Sequence, residues 1–253
     1  MLERRQVTGT VLVGTLLAGS VLAGTLAATV QTPAAAASAS APSVSTLYRE
    51  AIATTRSWSV HYASSSIQSK VTLLESGDAG PASGTQTVLT GKGSPTDHAT
   101  IDVIGGITYV KGNVGGLENL AGMSVAQATV AAGQWIEFAT DNTAFSQVVA
   151  GVRSQDLAKE LALEGPLSLG SPRTIDGSAV DAIEGTQTIG SKTTLHVVLY
   201  VRAQGTHVPV EEDSLNAKGK PTSSEHITYS KWGEIVRPEA PQATISIGPI
   251  SSA

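Results

Sequence analysis

Five histidines, His61, His98, His196, His207 and His226, are the side chains best suited to hold a metal or carry a proton. None stands in H-E-x-x-H or any other short ligand spacing. His61, His196 and His207 fall at outward positions of alternating segments, so no metal ligand set is expected. Serine is abundant, yet G-x-S-x-G is absent; Gly122-Met123-Ser124 lacks the second glycine, and Ser124 with Gln127 three residues on reads as a helix cap. Gly219-Lys220 is followed by Pro221 and has no upstream glycine at P-loop spacing, so it reads as a turn. Glu211-Glu212-Asp213 is the acidic cluster of the chain; it reads as a solvated strand end, with calcium binding as the alternative. Trp135 and Trp232 could serve as flat ligand platforms, although core packing is the usual role of such residues. No catalytic residue, cofactor or enzyme activity is expected on this pattern, while a site assembled from distant residues would leave no local trace.

Composition narrows the classes further. The chain has no cysteine, which excludes thiol catalysis, Cys-ligated zinc, disulfides and a lipidated N-terminal cysteine. Charged residues are 15% of the 253, against about a quarter in ordinary domains, and Ser, Thr, Gly and Ala take their place. The net charge is −5, and there is no basic block, so nucleic acid and anionic headgroups are poor partners.

The N-terminus has the layout of an export signal. Arg4 and Arg5 precede an uncharged run from Val7 to Val30, then Pro33 and an Ala/Ser tract with Ala37-Ser38-Ala39 as a small-residue cleavage site. Left uncut, the run is long enough to span a bilayer and would anchor the protein, with membrane contact through that segment alone. Either way the remainder is extracytoplasmic, secreted or in the cell envelope. Removing Glu3, Arg4 and Arg5 takes off a net +1 and leaves −6. The division expected is an export segment over 1–39, a linker over 40–44, a single domain over 45–248 and a tail over 249–253. Without disulfides, that domain must be held by its core, and a monomer is expected.

The elements that position these residues follow from periodicity. Ser43 or Ser45 caps a helix to about Arg56, with Leu47, Tyr48, Ala51, Ile52 and Thr55 on one stripe. Trp58, Val60 and Tyr62 alternate as a strand; a second runs from Lys70 to Glu75, followed by a turn over Ser76–Pro81, and a third from Gly84 to Thr90. The organising stretch is Asp97–Phe138. Two alternating runs flank Gly105-Gly106, a two-residue hairpin that pairs Ile104 with Ile107, Val103 with Thr108, Asp102 with Tyr109, Ile101 with Val110 and Thr100 with Lys111. Ala99, Ile101, Val103 and Val110 then share a covered face, and Thr100, Asp102, Tyr109 and Lys111 a wet one. A break over Asn113–Gly116, a turn of helix over Leu117–Ala121, a helix from Ser124 to Gly133 and a strand at Trp135–Phe138 come next. Helices are expected over Thr143–Val152 and Gln155–Leu163, closed by Gly165-Pro166. In the second half Gly185-Thr186-Gln187-Thr188 repeats Gly84-Thr85-Gln86-Thr87. Each copy precedes a hairpin, the second turning at Gln204-Gly205 and pairing Val201 with Val208 and Leu199 with Val210; this leaves internal duplication open. The fold class expected is α+β, one curved antiparallel sheet with short helices on its apolar face.

The order of the opening helix and Trp58 strand, Tyr109-Val110-Lys111-Gly112, Gln134-Trp135-Ile136, and Tyr229-Ser230-Lys231-Trp232-Gly233-Glu234 before a proline-bearing tail resembles the LppX/LprAFG-type lipoproteins of the actinobacterial envelope. Their fold is similar to the LolA/LolB carriers. The resemblance, over about Ser43–Gly248, implies a half-barrel wrapped around helices and an apolar cavity for acyl chains of a lipid or glycolipid. The chain departs from that family in lacking the lipobox cysteine, so a shuttle or an uncut anchor would replace lipid tethering. The cavity would be lined from the strands by Val60, Tyr62, Ile101, Val103, Val110, Leu195, Val197, Leu199 and Val201. Leu117, Leu120, Phe145, Val149 and Leu157 would line it from the helical side. The function implied is a non-enzymatic carrier of a hydrophobic molecule; the alternative is an envelope interaction module whose core has collapsed.

Overall fold

A computed structural model describes residues 42–68, 70–93, 96–139, 149, 151–189, 193–216 and 223–246. The first half runs α1 (Val44–Ser57), β1 (Val60–Gln68), β2 (Val71–Ala79), β3 (Gly84–Lys92), β4 (Asp97–Ile104), β5 (Ile107–Gly112), α2 (Val114–Asn119), α3 (Val125–Ala131) and β6 (Ile136–Ala139). The second runs α4 (Ser154–Glu160), β7 (Glu164–Leu169), β8 (Arg173–Ile175), β9 (Ser178–Ile189), β10 (Thr193–Arg202), β11 (Pro209–Asn216) and β12 (Ser223–Ser230). All these strands form one curved, unclosed sheet in the order β6-β5-β4-β3-β2-β1-β12-β11-β10-β9-β7, with β8 on β9. Two meanders therefore spread in opposite directions from a seam where β1 pairs antiparallel with β12. The α+β fold with one curved antiparallel sheet, expected from the pattern, is the observed architecture.

The central hairpin has the anticipated register throughout, from Ile104↔Ile107 to Thr100↔Lys111. Gly105 and Gly106 sit at φ 56° and 85°, which L side chains adopt at a cost and which match the twist of the flanking strands. Its outer face is not wholly wet, however: Asp102 and Tyr109 are buried. Helix α1 starts at the Ser43 cap, whose side chain accepts from Thr46 N–H, and buries Leu47, Ala51 and Thr55. A buried leucine of that kind contributes about 1.5–3 kcal/mol, enough to hold a helix that would be marginal alone. Ser124 and Gln127 form the full capping box of α3.

Several expectations are corrected. Strand β2 does not stop at Glu75 but continues through Ser76-Gly77-Asp78 to Ala79. Gly77 is there for packing: a Cβ would stand 2.4 Å from the Thr85 carbonyl oxygen and 3.1 Å from the Tyr62 ring. Helix α2 begins at Val114, capped by Asn113, and includes Gly115 and Gly116, where a break after the strand is expected and helix only from Leu117. A Cβ on Gly116 would lie 1.9 Å from the His98 carbonyl oxygen, so the glycine lets the helix press onto β4. Gly165-Pro166 lies within β7, an edge strand whose ladder to β9 is interrupted, and there the missing proline N–H costs nothing. The helix expected over Thr143–Val152 falls mostly outside the described residues, and its last residue, Val152, is in a turn. A bulge at Tyr200/Val201 shifts the last hairpin, so that Leu199 faces Glu212 and Val201 faces Pro209. The two Gly-Thr-Gln-Thr copies are not equivalent: Gly84 opens β3 opposite Val103, whereas Gly185 lies well inside β9 opposite Val197.

The core is in two pieces. One cluster joins Val88, Ile101, Val110, Ile136 and their neighbours to α2, α3, Val149 and Val152. The other joins α1 and α4 to Val60, Tyr62, Ile183, Leu199, Val201, Ile227 and Tyr229.

Candidate functional site: the polar seam of the concave face

Strand parity assigns every other residue to the concave face, and register lines these up across the seam in three rows. The first, nearest the β4–β5 turn, holds Ile101, Gln86, Gly77, Tyr62 and Tyr229. The second holds Ala99, Val88, Glu75, Ser64, Ile227, Glu212 and Leu199. The third holds Asp97, Thr90, Leu73, Ser66, Glu225, Ser214 and Val197. Neighbours within a row are about 5 Å apart. Between the two apolar clusters, the inner face is thus a band of hydroxyls, an amide and carboxylates.

Much of that band is sealed from solvent. Gln86 is 1% exposed, Thr90 3%, and Glu212 and Ser214 are fully buried. The Ser214 hydroxyl donates to Glu212 Oε1 at 3.2 Å, and the Ser64 hydroxyl to Glu75 Oε2 at 3.4 Å. Gln86 Oε1 and Thr90 Oγ1 have no hydrogen-bond partner. Gln187, the glutamine of the second Gly-Thr-Gln-Thr, is also buried on the inner face; its Nε2 donates to the Glu160 carbonyl at 2.8 Å while its Oε1 is unpartnered. Other positions remain half-open: Val71, Leu73, Glu75, Ser66 and Glu225.

The expected lining residues divide among these regions. Ile101, Val103, Val110, Leu117 and Val149 are buried together in the first cluster, with half-buried Leu120 against it. Val60, Tyr62, Leu157, Leu199 and Val201 belong to the second. Leu195 and Val197 are buried on the inner face outside both clusters. Phe145 lies outside the described residues. The residues missed are Ser64, Glu75, Gln86, Thr90, Glu212 and Ser214. The parity of β3 was the available signal for two of them, since Gly84, Gln86, Val88 and Thr90 alternate with Thr85, Thr87 and Leu89. Glu212 and Ser214 carried the same signal, since they share the parity of Val208 and Val210, the residues expected to face Val201 and Leu199.

The convex face carries the other polar groups. His61 Nδ1 lies 2.7 Å from Asp78 Oδ1, and His226 Nδ1 2.8 Å from Asp213 Oδ1. Glu211, Asp213 and His226 offer ligand atoms within 4.8 Å of one another. Arg173 already donates to Glu211 and stacks on Tyr200 at 3.6 Å, so a cation's place there is taken by a guanidinium. The acidic run is therefore not simply a solvated strand end: Glu211 and Asp213 face out, and Glu212 is in the core. Of the two tryptophans proposed as platforms, Trp232 packs against the second cluster with its ring 6.4 Å from that of Tyr229 and its Nε1 donating to the Pro209 carbonyl at 2.9 Å, and Trp135 sits beneath Lys111 at 5.8 Å.

No family model and no curated protein matches the chain. Its architecture is similar to that of the lipoprotein LppX of Mycobacterium tuberculosis. The two are 18% identical at a TM-score of 0.49, over 77% of this chain and 97% of LppX. LprF of Mycobacterium bovis follows at 14% and 0.48, over 79% and 98%. A LolA-superfamily protein of Nitrosomonas europaea is 12% identical at 0.27, over 78% and 96%. These are proteins of the kinds that the residue pattern resembles. The likeness is one of architecture and assigns no ligand.

Proposed function

We propose that this is a non-enzymatic extracytoplasmic binding or carrier protein that holds a hydrophobic ligand, the acyl chains of a lipid or glycolipid, between sheet and helices. The observation that carries this reading is the split core. Two separate apolar clusters flank a seam whose inner-face residues Val71 and Leu73 are only half-buried. A chain that needed only to be stable would gain by merging the clusters, since apolar burial contributes about 25 cal/mol per Å². Acyl chains laid along the gap would cover Leu73 and join the two. The export pattern of the N-terminus supports an extracytoplasmic place of action.

A closed, ligand-free module is the second reading, and one observation favours it. The wall near Val103 is already tight: a Cβ on the facing Gly84 would stand 1.8 Å from the Val152 carbonyl oxygen. The two readings separate at Leu73 rather than at Val103. Val103→Trp should cost about 1–3 kcal/mol or more in either case, because it overpacks a filled site. Leu73→Trp should stay within about 1 kcal/mol of wild type, since half-exposed positions tolerate added volume. It should also lower the amount of lipid extracted from protein purified from its native envelope, measured by mass spectrometry alongside the melting temperature. A wild type that never carries lipid, with Leu73→Trp as destabilised as Val103→Trp, would overturn the carrier reading.

A further inference from the structure

We infer that the outward face of α3 is a docking surface for a lipid bilayer, seated at the boundary between headgroups and acyl chains. This goes beyond the carrier reading and does not need it. Helix α3 packs Ala128 and Ala131 into the first apolar cluster and turns Val125, Ala126, Thr129 and Val130 outward. Val125 is 57% exposed and Val130 69%. A surface helix ordinarily reverses this, with charged or polar residues on the outside. Helix propensity does not ask for these residues either, since β-branched side chains lose rotamer freedom in a helix. Two valines held in water by a helix that buries alanines make an apolar face without its cover.

Charge selects the occupant. No charged residue stands between Glu118 and Glu137, although much of that stretch is exposed. Its polar side chains turn back on the segment itself. Thr129 Oγ1 donates to the Val125 carbonyl at 2.7 Å and Gln134 Nε2 to the Val130 carbonyl at 3.0 Å. Ser124 and Gln127 each accept the other's backbone N–H in the capping box. A protein partner is recognised through polar groups at the rim of an apolar patch; this face offers apolar contact and little else. Entry to the edge of the acyl layer has those same terms: no charge to desolvate, and polar groups already paired within the segment. Beyond the end of α3, Lys111 lies over the Trp135 ring at 5.8 Å. Such a pair suits the headgroup level, the ring in the apolar layer and the ammonium complementing phosphate. Glu118 and Glu137 at the ends of the run disfavour an anionic surface, so the lipid expected is zwitterionic.

The test exploits the absence of cysteine from the chain. In the full chain, Thr129→Cys carries one nitroxide on the outer face of α3; Thr87→Cys, exposed on the convex face of β3, carries one as a control. Electron paramagnetic resonance compares accessibility to oxygen, which concentrates in lipid, with accessibility to a water-soluble nickel chelate. The label at position 129 should shift to high oxygen and low nickel accessibility when phosphatidylcholine vesicles are added, and the label at 87 should not. This reporter separates the α3 face from binding through the N-terminal run, which would not place position 129 in lipid. Val125→Asp and Val130→Lys put an acid in the first turn and a base in the last, where the helix dipole favours them, so the melting temperature should stay near that of wild type. Each should weaken the vesicle-dependent shift at 129 about tenfold in lipid concentration, the worth of burying the exposed part of one valine. A label at 129 that stays in water, a label at 87 that enters lipid equally, or valine variants that dock as wild type does would overturn the inference. So would immobilisation of the 129 label with rising protein concentration and no vesicles, which would assign the face to a second copy of the chain. Whether lipid is extracted from the seam leaves this test unaffected.

Discussion

At the scale of single residues, the informative positions are those where a side chain contradicts its surroundings. Asp102 is one. It lies on the outer face of the hairpin, yet it is buried, and burial pushes its carboxyl above the usual range while the Thr85 hydroxyl, hydrogen-bonded to it, pulls partly back. The folded state therefore takes up a proton at higher pH than the unfolded chain does. Ionised Asp102 costs stability; the cost is absent below the unfolded value of 3.8, grows as pH rises through the folded one and is constant above it. Asp102→Asn keeps an acceptor for Thr85 and removes the charge. Its melting temperature should exceed that of wild type near pH 7, the gap narrowing toward about pH 4 in a calorimetric series. A gap that widens on acidification would show that the carboxylate is stabilising.

At the scale of elements, one hydroxyl of α1 ties that helix to the chain that leaves α4, beside the apolar packing of Leu47 and Ala51 with Leu157 and Leu161. Tyr48 Oη donates to the Leu161 carbonyl at 3.2 Å and accepts the Leu163 N–H at 2.7 Å, tying the first helix to the start of β7 across more than a hundred residues of chain. Burial raises the Tyr48 pKa, so the hydroxyl stays protonated and keeps both roles through the neutral range. Tyr48→Phe leaves the ring in place and strands a backbone N–H. It should cost about 1–3 kcal/mol, measured by denaturant unfolding, with no change in the slope of the transition. The helical stripe containing Tyr48 was legible from spacing alone. Its bonding partners were not, because nothing local in the sequence says that Leu161 and Leu163 return to that place.

At the scale of the whole molecule, the open edges of the sheet need protection. β6 ends one side, and the segment after β12 crosses to it: the Ser59 hydroxyl donates to the Glu234 carbonyl, the Ser83 hydroxyl to the Val236 carbonyl at 3.1 Å, and Ile245 N–H to the Trp135 carbonyl at 2.8 Å. Ile245 also packs against the first cluster. The strap thus occupies part of an edge that would otherwise recruit another strand. Truncation after Arg237 should lower the melting temperature and give concentration-dependent self-association by light scattering. A truncated protein that stays monomeric at all concentrations would show that β6 needs no cover.

The sequence by itself determined what depends on neighbours a few residues apart. Gly105-Gly106 between alternating runs specified a two-residue turn, and a turn of that length has one register, which sets the pairs from Ile104↔Ile107 to Thr100↔Lys111. The same holds for the Ser43 and Ser124 caps, where donor and acceptor are three residues apart. Tertiary structure alone decided the rest. The bulge at Tyr200/Val201 depends on packing between strands, and it sets Glu212 opposite Leu199, where it is fully buried. Gly77 and Gly116 read as breaks because glycine is ambiguous in sequence; only the approach of the Thr85 and His98 carbonyls shows that they serve contact. The seam itself arises where β1 meets β12, strands about 160 residues apart, and its polar rows exist only once that pairing sets which residues stand side by side.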